Sequence, residues 1–290
     1  MFIKREKGKN EVQVIGIRIH KINNYNPAKT IKLNVNSYVG NVLIYLDRFL
    51  IYLEEHKKHV LSDFLAELKL KYRAEVPYNF NKLDSLDLSE IIPQLKVLKD
   101  PDLLETVNNL ILTLLNVPEG YAWESQEIDI VDVNITKARV VPIYYCSKLL
   151  TELIDREEAI QLLKDYFEFY IHTYRNVKKY ENLTSIYEAS NNQNNTILVN
   201  VLINDGIYAG KGGVCAGHEA LKGFNDPELA YIICCHGDAA LIRKYNENFV
   251  MTRRYTLMDG PYCDTTAHDT RIVTKIEHPS EEFFDNLDWE

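Results

Sequence analysis

Apolar residues at helical spacing dominate the chain before residue 175 and constrain any fold it adopts. Val39, Val42, Leu43, Leu46, Phe49, Leu50 and Leu53 recur at intervals of three and four, which sets them along one side of a helix reaching about Lys57 and demands a partner to cover them. Leu61, Phe64, Leu65 and Leu68 repeat the pattern in a following helix. Another stripe runs through Leu103, Leu104, Val107, Leu110, Ile111, Leu114 and Leu115 behind Asp100-Pro101, where the carboxylate caps the first turn and proline presets its backbone. A last one runs through Ala159, Leu163, Tyr166, Phe167, Tyr170, Ile171 and Tyr174, with Asp155 and Glu158 spaced as a capping box.

Strand signals lie on either side of these helices. Val12, Val14, Ile15, Ile17 and Ile19 suit a strand over 11–20, and further strands are expected at 30–35, 128–133 and 196–203, with a helix at 143–154. Asp226-Pro227 opens a helix ending near Gly237, and Asp238 is placed to cap the next, which carries Leu241, Ile242 and Tyr245. Strands at 249–257 and 271–276 would flank the turn at Asp259-Gly260-Pro261. This order predicts an α+β fold, with a helix-rich N-terminal part packed on a C-terminal antiparallel sheet with helices. The loop-like stretch 116–127, with Pro118 and Gly120, divides a helical region (1–120) from an α+β region (121–290), unless the two are one continuous domain.

Charge narrows the partners. A net charge of −9 opposes binding along a phosphate backbone, so a nucleic acid is not expected. No apolar run is long enough to span a bilayer, and the first residues lack the apolar core of a signal peptide, so a cytoplasmic protein with no membrane partner is expected. In that compartment five cysteines read as thiols, ligands or small buried hydrophobes rather than as a disulfide framework.

Chemistry concentrates in residues 206–274. Four of the five cysteines (Cys215, Cys234, Cys235, Cys263) and three of the eight histidines (His218, His236, His268) fall there. Cys215 and His218, with Cys235 and His236, could supply four ligands to zinc or iron, although the groups lack the two tight pairs of a structural zinc site. Lys211-Gly212-Gly213-Val214 continues into Cys215 rather than the Lys and Ser/Thr of a phosphate loop, so nucleotide binding is rejected. Cys263 stands beside Asp264 just after a Gly-Pro turn, with His268 close in sequence. Two readings stand for it, a reactive thiolate partnered by Asp264 or His268, and a structural cysteine at a strand start.

Asp226-Pro227-Glu228-Leu229, Cys235, Asp238, Arg254-Tyr255-Thr256-Leu257, Gly260 and Cys263-Asp264 together resemble the C-terminal signature of the L-2-amino-thiazoline-4-carboxylic acid hydrolase family. The resemblance covers residues 226–264. It implies a hydrolase of a C–N or C=N bond in a small cyclic amino-acid-like substrate, with no cofactor. On this reading Cys263 is the nucleophile, Asp264 or His268 the acid/base group, and Arg254, Asp238 and Thr256 the substrate-binding residues. The run from Thr265 to Arg271 departs from the aromatic or His followed by Arg that the family places after Cys-Asp, which implies a rearranged pocket. The alternatives are a metal-dependent enzyme or sensor built on the Cys and His groups, and a non-catalytic ligand-binding relative.

Overall fold

In a computed structural model of the chain, residues 18–21, 26, 28–75, 88–117, 127–186, 200–203 and 206–285 are described. They divide into a helical unit, spanning 26–166 and 220–233, and a sheet unit, spanning 1–25, 167–219 and 234–290. The boundary expected near residue 120 falls within the span of the helical unit. Among the described residues no helix is long and apolar enough to cross a membrane.

In the helical unit, α1 (Val35–Glu75), α2 (Pro101–Leu115) and α3 (Asp132–Leu153) pack against one another. The stripes do what their spacing requires. Val39, Leu43, Leu46, Phe49, Leu50 and Leu53 of α1 and Leu103, Val107, Leu110, Ile111 and Leu115 of α2 are buried, each large side chain contributing about 1.5–3 kcal/mol. The two helices expected on either side of Lys57 are one α1, broken where Lys57 leaves helical geometry (φ −141, ψ 43). Asp100 caps α2, accepting the Leu103 amide at 2.8 Å, and Asn116 ends it in the left-handed conformation (φ 55). Asp47, almost fully buried, accepts the amides of Lys96, Val97 and Leu98 at 2.8, 2.8 and 2.7 Å and so ties the 95–99 loop to α1. The first part of α4 (Arg156–Tyr174) adds Tyr166, whose ring meets Phe49 edge-on at 5.0 Å. A two-stranded antiparallel ribbon, β2 (Thr30–Asn34) with β3 (Glu127–Val131), completes this part.

The sheet unit is built on five antiparallel strands in the order β1-β4-β5-β7-β6. They are β1 (Arg18–Lys21), β4 (Asn200–Ile203), β5 (Ile207–Lys211), β6 (Phe249–Thr252) and β7 (Thr266–Asp269). Each face of the sheet has its own apolar cluster. Phe249, Ala267 and Leu183 gather Tyr208, Ile242 and Tyr245 on one, under α7 (Asp238–Tyr245). Ala209 and Phe284 gather Ile207, Tyr262 and Phe283 on the other, under α8 (Glu281–Asp285). In sequence between β5 and β6 come α5 (Ala216–Leu221), then α6 (Pro227–Tyr231), which belongs to the helical unit, and a π-helical turn at Ile232–His236.

The α+β class therefore holds, with several elements shifted. The strand expected at 271–276 is absent, and Ile272 and Ile276 stand exposed; the strand is Thr266–Asp269, whose polar side chains are buried on both faces. The strand expected at 249–257 stops at Thr252, and the helix expected at 143–154 starts at Asp132. Asp238 is not a cap but the first helical residue after Gly237. Most of the strand expected at 11–20, and the first part of the one at 196–203, lie outside the described residues.

Candidate functional site

Strand register decides which side chains meet. The pairing of β5 with β7 (Ile207 with His268, Tyr208 with Ala267, Ala209 with Thr266) continues beyond the strands. Gly210 donates its amide to the Thr265 carbonyl at 2.8 Å, and Gly212 and Cys263 exchange amide bonds of 2.8 and 2.9 Å. Residues 263–269 are thus one extended segment, and successive side chains leave it on opposite faces. Cys263 and Thr265 share the α7 face, whereas Asp264, Thr266 and His268 share the α8 face. The structure does not bring Asp264 or His268 to Cys263, because their offsets from it, one and five positions, are odd and set them on the opposite face.

On the α7 face the Cys263 thiol lies 3.3 Å from the Thr265 hydroxyl. Arg253, one residue past β6, donates to that same hydroxyl through Nε (3.0 Å) and Nη2 (2.8 Å), to Asp238 Oδ2 (2.7 Å) and to the Cys235 carbonyl (3.3 Å). Burial works against the Arg253 charge, but Asp238 and the neighbouring thiols outweigh it and hold the guanidinium firmly protonated. Burial pushes the Cys263 thiol above its ordinary range; Arg253 and the Thr265 bond oppose this, while Asp238 and Cys215 add to it. Burial also raises the Asp238 carboxyl, with Arg253 opposing. Its side chain keeps 38% exposure against 9% for Arg253, so water tempers that rise and Asp238 is the member of the pair open to a ligand. Gly210 and Gly212, opposite Thr265 and Cys263, present no side chain on this face.

A second polar cluster occupies the α8 face. His278 joins Asp264 Oδ2 through Nε2 (2.9 Å) and the Thr252 hydroxyl through Nδ1 (3.1 Å), and that hydroxyl meets His268 Nε2 at 3.0 Å. Asp264 is fully buried, and its other oxygen accepts the amides of Arg254 and Tyr255 at 2.9 and 2.8 Å. Both of its oxygens therefore hold structure, and the acid/base role expected of Asp264 toward Cys263 has no geometry behind it. His268 is buried, with no hydrogen-bond partner on Nδ1 among the described residues, and burial, with His278 nearby, lowers its pKa.

The other expected residues are placed as follows. Arg254, the outward neighbour of Arg253, bonds the Pro279 carbonyl (3.4 Å) and pairs with Glu281 (3.6 Å) rather than facing the thiol. Thr256 is buried and closes a turn, its amide and hydroxyl both on Asp259 Oδ1 at 2.9 and 2.8 Å. His218 lies 3.7 Å from Glu219 and His236 3.1 Å from Glu168. Cys235 is buried and its thiol is driven far up by burial. Among the described residues no three His, Cys, Asp or Glu side chains are grouped so as to hold a metal ion. Arg253, Thr265, Thr252 and His278 escaped the sequence reading. The alternation Phe249, Met251, Arg253 was the available signal for the first, since period two turns Arg253, not Arg254, to the inner face. Comparison with family models, curated proteins and solved structures gives no match.

Proposed function

We propose that the sheet unit is a thiol-dependent hydrolase acting on a C–N or C=N bond in a small cyclic amino-acid-like substrate of the thiazoline carboxylate type. The observation that carries this reading is the Thr265 hydroxyl shared by the Cys263 thiol and the buried Arg253 guanidinium, whose partner Asp238 reaches solvent. The substrate class comes from the resemblance of residues 226–264. Asp238 binds the amidine-like nitrogens, and Arg253 fixes Asp238 and Thr265 and favours negative charge on sulfur.

Because burial keeps Cys263 protonated, the basic substrate nitrogen is the natural acceptor for its proton. The resulting amidinium is both the better electrophile and the better partner for Asp238. Sγ then bonds to the amidine carbon while the C=N π pair moves onto nitrogen. The C–N bond breaks as the other amidine nitrogen passes a proton to the departing one, which leaves as the amine; water then adds across the remaining C=N bond, and the S–C bond breaks as the hydroxyl proton passes to sulfur to restore the thiol. The net change is addition of one water across the C–N bond.

The test is turnover of 2-amino-thiazoline-4-carboxylate, followed by mass spectrometry. Cys263→Ala should abolish it and leave the melting temperature within a few degrees, since truncating a half-buried thiol forfeits little packing. Arg253→Met should also abolish it, whereas Arg254→Ala should leave it largely intact. Retained turnover in Cys263→Ala would remove the nucleophile assignment.

A further inference from the structure

We infer that Cys215 and Cys234 form a redox-active dithiol that exchanges with low-molecular-weight disulfides. The inference stands apart from the hydrolase reading because it uses neither Cys263 nor Arg253.

Gly217 shows how the two sulfurs are placed. A Cβ at that position would lie 3.0 Å from Cys234 Sγ and 3.7 Å from Cys215 Sγ. Both thiols therefore border the space a side chain at 217 would fill, Cys234 closely enough that it would have to give by a few tenths of an ångström. Cys215 lies in the loop before α5 and Cys234 in the π-helical turn at Ile232–His236, so two segments nearly twenty positions apart in sequence each bring a thiol to Gly217, where a side chain would crowd them.

Exposure separates these two thiols from Cys146 and Cys235. Burial pushes Cys146 up to about 12 and drives Cys235 higher still, which leaves both inert near neutrality. Cys215 and Cys234 are only half-buried. The charge Cys215 carries as a thiolate raises both Cys235 and Cys263, so it stands within electrostatic reach of the α7-face site.

The exchange balances in two steps. The Cys215 thiolate attacks one sulfur of a small disulfide, an S–S bond forms to Cys215, and one small thiolate leaves. Cys234, having lost its proton to solvent, attacks Cys215 Sγ, closes the intramolecular disulfide and expels the second small thiolate. The protein loses two electrons and the small disulfide gains them. A bond so formed would pin the loop ahead of α5 to the π-helical turn that carries Cys235, whose carbonyl Arg253 holds.

The experiment uses the full chain carrying Cys263→Ser, titrated with glutathione disulfide and glutathione in varied ratio at neutral pH and mapped by non-reducing peptide mass spectrometry. A peptide joining Cys215 to Cys234, lighter by two hydrogens, is expected, with Cys146 and Cys235 still alkylatable after unfolding. Adding Cys234→Ser should replace the crosslink by a stable glutathione adduct on Cys215. Adding Gly217→Ala should hinder closure by setting a methyl against both sulfurs; if that variant does not fold, the Cys234→Ser result decides alone. Absence of the Cys215–Cys234 crosslink at every ratio, or a crosslink from Cys215 to Cys235 instead, would overturn the inference. Neither result bears on turnover by Cys263.

Discussion

Arg253 and Asp238 act on the Cys263 thiol with opposite sign, so replacing each in turn tests the electrostatics of the site before any substrate is known. Arg253 lowers the thiol pKa and Asp238 raises it. Arg253→Met keeps the aliphatic stem and removes the charge; Asp238→Asn keeps an acceptor for Arg253 and removes the opposing charge. A neighbouring charge of this kind moves a pKa by about one unit, and the exposure of Asp238 puts its share at the lower end of that scale. Below the pKa one unit changes the thiolate fraction about tenfold, but nucleophilicity moves the other way with a Brønsted coefficient of about 0.4–0.5, leaving about three- to fourfold in rate. Iodoacetamide labelling of Cys263 at neutral pH should therefore slow about threefold in Arg253→Met and quicken by up to about threefold in Asp238→Asn. Cys146, buried and pushed up to about 12, is the internal control and should stay unlabelled in the folded chain. Both variants moving the Cys263 rate in one direction, or neither moving it, would refute the opposed influence of the two charges on this thiol.

Three further outcomes follow from the packing. Asp47→Ala strips three amides, that of Leu98 buried and those of Lys96 and Val97 part-buried, of their acceptor and should destabilise the helical unit by about 3–5 kcal/mol, given about 1.5–3 kcal/mol for each bond to a charged group and partial recovery by water; chemical denaturation followed by circular dichroism reads this, and a loss below about 1 kcal/mol would contradict it. Burial holds the His268 pKa below its ordinary value, so the unfolded chain takes the proton first: its contribution to stability is complete above about 6.5 and is lost as pH falls from there toward the folded value. Melting curves of the wild type should accordingly fall more steeply between neutral and mildly acidic pH than those of His268→Asn. Gly260→Ala would set a Cβ 2.8 Å from Tyr255 Cβ, displacing the ring from its 2.6 Å bond to Glu281; a cost of about 1–3 kcal/mol is expected from such overpacking, read as a lowered melting temperature.

The parts of this protein that were legible in sequence are those in which one local rule operates alone. Helical stripes, the Asp100 cap and the shift from helices to a late sheet follow from spacing and short-range hydrogen bonding, and the structure reproduces them within a few residues. β7 was missed because a strand buried on both faces does not need alternation, and Thr-Ala-His-Asp carries no apolar signal; the apolar run at Ile272, Val273 and Ile276 was the stronger local pattern and belongs to a turn closed by Asp269 and Arg271. The same strand accounts for the misassembled site. Cys263, Asp264 and His268 are close in sequence, but extended backbone converts one residue of separation into opposite faces of a sheet, so proximity along the chain separates them in space. What Cys263 does meet, Arg253 and Thr265 on its own face and Asp238 at the start of α7, comes from three segments whose juxtaposition depends on the register of β5, β6 and β7. Period two, applied from Phe249 through Met251 to Arg253 and from Cys263 to Thr265, selects the members of that cluster without any coordinates once the two segments are known to pair. The pairing itself is the long-range fact that the sequence alone does not contain, because β5 and β7 are brought together across three helices, a π-helical turn and β6.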